Sequence, residues 1–249
     1  MAGVSIVALL AQMSSPRLKA LFGQDPEHAA KWVFVAAAEG LAEAQVCYGR
    51  MLLEGTGLAK DPGNALKWFR RAATGGDLEA INMVGRCLDN GWGAAADLEA
   101  AAEQYRRAAD AGHARAQYNL GHLYLDGRGV AQDFEQAFAY YHRAAEQQNS
   151  RAMNLVGRCC EEGWGTARDP ASAAAWYRRS AEGGYFRGQY NWATLLLKEN
   201  RVGEAAAWLE RAAAGGSAGV RQAVMELCTR AVAGGVLREL ADRLRARAA

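Results

Sequence analysis

Histidine and cysteine are the residues of this sequence that could bind a metal or carry redox chemistry. The four histidines are His28, His113, His122 and His142, and none of them has the spacing of a His-Glu-x-x-His motif or of another metal site. The five cysteines are Cys47, Cys87, Cys159, Cys160 and Cys228. They contain no Cys-x-x-Cys pair, and we interpret them as small buried hydrophobic residues. The sequence therefore predicts no catalytic residue, no metal site and no cofactor.

Glycine pairs in a Gly-x-Gly pattern could form phosphate-binding loops. The pattern occurs at Gly55/Gly57, Gly91/Gly93, Gly127/Gly129 and Gly163/Gly165. A phosphate-binding loop of this kind follows a β-strand, and no strand pattern precedes any of the four pairs. A recurring arginine, at Arg71, Arg107, Arg143, Arg179 and Arg211, is interpreted as a solvated face, with phosphate binding as the alternative. Neither pattern predicts an enzyme.

Both patterns belong to a repeat of 36 residues that runs through most of the chain. Small residues keep this spacing without a slip at Ala36, Ala72, Ala108, Ala144 and Ser180. The same spacing separates Gly49, Gly85, Gly121 and Gly157, and also Asp61, Asp97, Asp133 and Asp169. A repeat of this length is typical of stacked structural units, none of which buries its apolar face alone.

The local signals within one repeat predict a pair of helices. Asp61 followed by Pro62 is an N-terminal capping signal, and apolar residues then recur with the period of a one-sided helix. Gly75-Gly76 predicts the end of this helix. A second helix is expected over about residues 78–88, and the loop at residues 91–93 returns the chain to the next aspartate.

The glycine of the second helix needs a packing reason, since glycine inside a helix costs about 1 kcal/mol relative to alanine. We expect a close approach between helices at this position. The large residues expected to face the small ones are Trp32, Trp68, Tyr140, Trp176 and Trp208.

These features together have the pattern of a known family. The segment ARAQYNLGHLYLDGRGVAQD, from Ala114 to Asp133, followed by AFAYYHRAA, resembles the Sel1-like repeat, a relative of the tetratricopeptide repeat. The resemblance implies an all-α, right-handed α/α superhelical solenoid of about five to six helix pairs that holds other proteins, and it does not imply catalytic chemistry. In exported members of this family a disulfide links the two helices of a pair. The cysteines of this sequence form no such repeated pair.

The repeat divides the chain into three segments. Residues 25–216 form the array, residues 1–24 a degenerate N-terminal cap, and residues 217–249 a C-terminal cap. The apolar start of the chain also resembles a signal peptide, but no Lys or Arg precedes it. Met13 and Ala8 fall 36 residues before Gly49 and Ala44, which favours a retained cap and a cytoplasmic protein. A periplasmic location is the alternative.

A longer period of 72 residues identifies twin positions. Asn82, Arg86 and the Gly-Trp-Gly loop around Trp92 return as Asn154, Arg158 and the loop around Trp164. The two tryptophans are a candidate second surface, although a tryptophan in such a loop more often folds back over the helix ends.

One stripe of the second helices is the candidate partner-binding groove. Helical spacing from the glycine column places on it Arg50, Asn82, Arg86, Asp89, Tyr118, His122, Asn154, Arg158, Glu161 and Tyr190. These residue types can bind an extended peptide, because asparagine can bond its backbone, arginine its carboxylates and tyrosine its apolar side chains. The alternative is that Arg86–Asp89 and Arg158–Glu161 are ion pairs that satisfy each other on a wet surface.

We therefore expect a non-catalytic scaffold or adaptor that binds a protein or peptide and is a monomer or weak dimer. The 29 Lys and Arg against 27 Asp and Glu leave a net charge of +2, which predicts no nucleic-acid partner. The chain has no apolar run long enough to span a membrane. The alternatives are a regulatory subunit that inhibits or positions an enzyme, and a hydrolase with its site in the groove.

Overall fold

Thirteen α-helices and no strand lie in residues 25–230 and 234–246, the parts of the chain that the computed structural model describes. The helices are α1 (Pro26–Ala38), α2 (Ala42–Glu54), α3 (Pro62–Thr74), α4 (Leu78–Asn90), α5 (Leu98–Asp110), α6 (Ala114–Asp126), α7 (Phe134–Glu146), α8 (Ser150–Glu162), α9 (Pro170–Glu182), α10 (Phe186–Lys198), α11 (Val202–Gly215), α12 (Ala218–Arg230) and α13 (Gly234–Ala246). The predicted leading cap over residues 1–24, with Ala8 and Met13, lies outside the described residues.

Contacts between the helices divide the chain into two compact units. The N-terminal unit ends at Gln132 and contains α1 to α6, whereas the C-terminal unit begins at Asp133 and contains α7 to α13. Within each unit, helices that follow one another in sequence pack together. The predicted division of the chain at residues 24 and 216 rests on the repeat motif and stays a prediction.

The first helix of each repeat begins where the sequence predicts it. The carboxylate of Asp61 accepts a hydrogen bond of 2.9 Å from the backbone N–H of Asn64, and Pro62 opens the helix. The same cap recurs at Asp25, Asp97, Asp133 and Asp169. These hydrogen bonds hold the pKa of the Asp61 carboxyl below its ordinary value, because they stabilise the charged form. The caps therefore fix the start of each pair.

The second helix is slightly longer than predicted. Helix α4 runs to Asn90 and ends at Gly91, which adopts a left-handed conformation with φ of +70°. The backbone N–H of Gly91 still donates to the carbonyl of Cys87, which satisfies one of the last free carbonyls of the helix. The chain is then turned toward Asp97.

The close approach at the glycine column is confirmed, but its predicted aromatic partner is wrong. A Cβ added at Gly85 would lie 2.8 Å from the ring of Tyr105, and one at Gly157 would lie 2.7 Å from the ring of Tyr177. Gly49 meets Phe69 in the same way. The facing aromatic is thus one residue after the predicted tryptophan column. These three aromatic side chains are fully buried, whereas Trp68 and Trp176 are half-exposed.

The second glycine of each Gly-x-Gly loop has a packing role that the sequence did not reveal. A Cβ at Gly93 would overlap the carbonyl oxygen of Pro62, the first residue of helix α3. Gly129 approaches Leu98 of α5, and Gly165 approaches Phe134 of α7, in the same manner. The loop therefore packs directly on the start of the first helix of its own repeat. This contact, rather than a phosphate, accounts for the pattern.

The small column and the C-terminal helices both contribute buried apolar residues to the core. The five residues from Ala36 to Ser180 in the 36-residue column are all buried. In the C-terminal unit, Leu237 and Leu240 of α13 join Leu196 and Leu209 in one apolar cluster. The last helices thus cover apolar surface that the array would otherwise expose.

Candidate partner-binding site

Two of the predicted groove residues are structural, which corrects the sequence interpretation. Asn82 is 1% exposed and Asn154 is 3% exposed, so neither amide is presented to a partner. The side chain of Asn82 accepts a hydrogen bond of 2.9 Å from Asn119 one repeat later. Asn154 accepts an equivalent 2.9 Å bond from Asn191. These amide pairs fasten neighbouring helices because a buried amide must keep a partner.

The twin arginines lie over the twin tryptophans. The guanidinium of Arg86 is 5.3 Å from the centre of the Trp92 ring, and that of Arg158 is 4.9 Å from the Trp164 ring. Arg86 also contacts the sulfur of Met83 at 3.5 Å. Both tryptophans are half-buried, so each loop ring folds back toward its helix. A cation–π contact uses the face of the ring and leaves N–H groups of the guanidinium available to an acceptor.

The acidic residues of the stripe bind neighbouring repeats rather than the arginines beside them. Asp89 accepts a 3.3 Å hydrogen bond from the Tyr105 hydroxyl and forms a 2.7 Å ion pair with Arg128. Glu161 accepts a 2.6 Å bond from the Tyr177 hydroxyl. Burial, and then the adjacent carboxylate, raises the pKa of both tyrosines, which keeps these donors protonated. The alternative of Arg86–Asp89 and Arg158–Glu161 pairs is therefore wrong.

Arg50 belongs to an ion cluster around Glu79. The Glu79 carboxylate contacts Arg50, Nη1 of Arg115 at 3.0 Å and Nε2 of His113 at 2.9 Å. Burial alone would raise the pKa of Glu79, but the His113 hydrogen bond and the two arginine charges together hold it below its ordinary value. Nδ1 of His113 meanwhile caps helix α6 by accepting from the backbone N–H of Ala116. The cluster connects α2, α4 and the start of α6.

The remaining predicted residues lie apart in the two units. Tyr118 and His122 are half-exposed on α6, with their rings edge to face at 4.7 Å. Tyr190 lies on α10 and packs against the C-terminal apolar cluster. A binding role for these three residues stays a prediction.

A recess of about 570 Å³ in the N-terminal unit brings several of the functional candidates together. Its lining contains Arg50, Leu53, Glu54, Lys60, Pro62, Met83, Arg86 and Trp92. The predicted stripe supplied Arg50 and Arg86, and the predicted second surface supplied Trp92. Sequence reasoning missed Lys60 because it lies in a loop. A comparison of repeats could have found it, since its slot holds Ala96, Gln132 and Arg168 in the following repeats.

The second tryptophan has a different neighbour. The Trp164 ring stacks on Phe134, with centroids 6.2 Å apart and planes 18° from parallel. Phe134 occupies the slot that Pro62 holds 72 residues earlier. Phe134 is 40% exposed, so this pair forms an apolar surface in the C-terminal unit. The loop of Trp92 therefore borders a recess with charged residues, whereas the loop of Trp164 borders an aromatic pair.

No group of three or more His, Cys, Asp or Glu side chains that could hold a metal occurs in residues 25–230 and 234–246. No described helix has the length and apolar character needed to cross a bilayer. All five cysteines are free.

The sequence profile of the Sel1 repeat matches five segments, residues 42–77, 78–113, 114–149, 150–185 and 188–217. The chain belongs to the Sel1 repeat family. Each of the first four matched segments begins with a helix of the glycine column and contains the Asp-capped helix that follows it. No curated protein matches the sequence.

Solved structures show the same fold. The protective antigen c5321 of uropathogenic Escherichia coli, which has an SLR fold, is 28% identical with a TM-score of 0.69 over 95% of this chain and 53% of that chain. This Sel1 repeat protein therefore spans about half the length of that antigen. A Sel1 repeat protein from Oxalobacter formigenes is 28% identical with a TM-score of 0.70, over 83% and 90% of the two chains. The immunity protein Pa5087 of Pseudomonas aeruginosa shares the fold alone, at 17% identity and a TM-score of 0.56 over 82% and 80%. The fold class is thus the all-α superhelical repeat fold.

Proposed function

We propose that this Sel1 repeat protein is a non-catalytic scaffold or adaptor that binds a partner protein on the face formed by α2 and α4. The observation that carries the proposal is the recess around Arg86 and Trp92. Most polar groups beside it are already satisfied by neighbouring repeats, as Asn82 and Asp89 are. Arg86 and Lys60, in contrast, have no carboxylate within ion-pair distance among the described residues. A recess lined by arginine and tryptophan is typical of protein recognition.

The rigidity of the repeats supports this proposal. Asparagine pairs and ion clusters hold α2 and α4, which carry Arg50 and Arg86, against their neighbours, and the Gly93 contact packs the loop of Trp92 on α3. A surface whose side chains are held in place loses less conformational entropy when it binds a partner. Members of a repeat family of this kind generally serve as protein-interaction scaffolds, and the family membership favours the same role here.

The alternative of a groove hydrolase lacks support in the cysteine environment. Burial raises the pKa of Cys87 to about 11 and that of Cys159 to about 12, so both thiols stay protonated at neutral pH. A thiol in that state is a poor nucleophile. A regulatory subunit that positions or inhibits a partner enzyme would use the same surface, and its partner alone would distinguish it from an adaptor.

We also propose a cytoplasmic location and a monomeric or weakly dimeric state. The free cysteines are consistent with a reducing compartment, in which structural disulfides are rare. Periplasmic export remains the alternative reading of the apolar N-terminus.

The experiment that tests the scaffold proposal is affinity capture from the native host, followed by reconstitution with purified components. We expect a defined protein that binds the full chain directly, measured by calorimetry. A chain that captures no protein above a control column, or that hydrolyses ester or β-lactam substrates, would contradict the proposal.

A further inference from the structure

We propose that the recess lined by Arg86, Lys60 and Trp92 binds a single Asp or Glu side chain of an acidic, partly apolar segment in the partner protein. This inference rests on the proposed function, since it names the chemistry that the scaffold recognises. Arg86 is the residue that contacts the carboxylate.

The geometry of Arg86 suits a carboxylate. Its guanidinium carbon lies 5.3 Å from the centre of the Trp92 ring, and its Nη1 lies 3.5 Å from the Met83 sulfur. The first contact is with the face of an aromatic ring and the second is a weak hydrogen bond to a thioether sulfur. Most N–H groups of the guanidinium therefore stay available to a ligand. A planar guanidinium held in this way presents parallel N–H donors, which match the two oxygens of a carboxylate.

The charge of the lining favours one negative charge. Three cations, Arg50, Lys60 and Arg86, line the recess with one acid, Glu54. Arg50 is engaged by Glu79, so the cations that remain are Lys60 and Arg86. Together with Glu54 they leave an excess of one positive charge, which matches a single carboxylate.

The rest of the lining is apolar and predicts an apolar neighbour for the acid. Leu53, Pro62 and Trp92 form this wall, together with the buried Met83. A side chain such as leucine beside the acidic residue would cover the tryptophan and exclude water. Removal of water strengthens the interaction between the carboxylate and Arg86.

The twin position supplies an internal control. Arg158 lies over Trp164 as Arg86 lies over Trp92, but the slots of Arg50 and Lys60 hold His122 and Gln132. The slot of Pro62 holds Phe134, whose ring stacks on Trp164. We therefore assign the acidic preference to the Arg86 position and not to Arg158.

The test is selection from a random twelve-residue peptide library displayed on phage, with the full-length wild-type chain as bait. We expect the selected peptides to share one Asp or Glu beside an apolar residue. In calorimetry with a selected synthetic peptide, Arg86→Gln should weaken binding roughly 10- to 100-fold, the usual effect of losing a charged hydrogen bond. Lys60→Gln should weaken it less, because Lys60 is more exposed to solvent.

The matched control is Arg158→Gln, which removes the same cation–π pair elsewhere and should leave the peptide affinity within a factor of two or so. Each variant must show wild-type helicity by circular dichroism.

Three results of the selection would overturn the inference. They are selected peptides that lack an acidic residue, peptides that bind Arg86→Gln as tightly as wild type, and no enrichment of any peptide. Binding of labelled oligothymidylate that depends on Arg86 would also overturn it, in favour of nucleic acid. A captured native partner that is insensitive to Arg86→Gln would leave the scaffold proposal standing and remove this inference alone.

Discussion

At the residue scale, burial separates the side chains that hold the repeats together from those that can bind a partner. Asn82 and Arg86 are four positions apart on one helix and were predicted to share one role. The structure buries Asn82 against Asn119 and leaves Arg86 stacked on Trp92 at the edge of a recess. Helical periodicity places both on one stripe, but it does not give the depth of each side chain. That depth depends on the distance to the next helix.

The role of Asn82 can be tested by truncation. Asn82→Ala should lower the free energy of unfolding by about 1–3 kcal/mol, because Asn119 loses its buried partner. Urea denaturation measures this change. Partner affinity at a temperature where the variant is fully folded should equal that of wild type. A loss of affinity with unchanged stability would return Asn82 to the binding surface.

The glycine column makes a second prediction at this scale. Gly85→Leu should lower the free energy of unfolding by about 2–3 kcal/mol, because even its Cβ would overlap the Tyr105 ring. Gly203→Leu is the control, since a Cβ there meets no atom within 4 Å. Its stability should stay within about 1 kcal/mol of wild type. Equal thermal denaturation midpoints for the two variants would contradict the packing role of the column.

At the element scale, the sequence predicted the helix pairs well and the contacts between them less well. Asp61 with Pro62 and Gly75 with Gly76 are local signals, so they placed the ends of α3 correctly. The choice between Trp68 and Phe69 as the residue that faces Gly49 was wrong. Both columns recur every 36 residues, so periodicity alone cannot say which of two adjacent residues points inward. The packing of α3 against α2 determines that Phe69, and not Trp68, faces Gly49.

The loop contact predicts a second stability difference. Gly93→Ala should cost about 3 kcal/mol or more, because its Cβ would overlap the Pro62 carbonyl and its φ is positive. Gly76→Ala also has a positive φ, but its Cβ would meet no atom within 4 Å. It should therefore cost only about 1–2 kcal/mol, the strain of the left-handed conformation. Similar urea midpoints for both variants would argue against the packing of the loop on helix α3.

The Glu79 cluster predicts how stability depends on pH. The folded pKa of Glu79 lies below its ordinary value of 4.5, so the carboxylate stabilises the fold above that pH. This stabilisation should be lost as the pH falls from about 4.5 through the lower folded pKa. Glu79→Gln should reduce stability at neutral pH and flatten this part of the acid denaturation curve. Glu43→Gln, at the exposed equivalent position one repeat earlier, should follow the wild-type curve, and an identical change in both variants would contradict the cluster.

At the scale of the whole molecule, the repeat determines how the protein can act. In a Sel1 repeat array, helices are added one after another by contacts with their neighbours, so the array grows by extending its surface. The sequence predicted this architecture because spacing and residue type recur together. It did not reveal the recess around Arg86, because Lys60 and Glu54 come from a loop and a helix end and approach Arg86 only in the folded chain.

The proposed location predicts the mass of the native protein. If residues 1–24 are a retained cap, the chain purified from its host should keep its N-terminal segment. Intact-mass spectrometry measures this directly. A form that lacks roughly the first 15–25 residues, as after removal of a signal peptide, would favour the periplasm.

The most direct test of the Arg86 recess as the recognition site is calorimetric titration of the captured native partner into the purified chain and its two matched variants. We expect wild type and Arg158→Gln to bind the partner with similar affinity. Arg86→Gln should bind roughly 10- to 100-fold more weakly while it keeps the wild-type helicity. Equal affinity of all three proteins would contradict the assignment of the Arg86 recess as the recognition site.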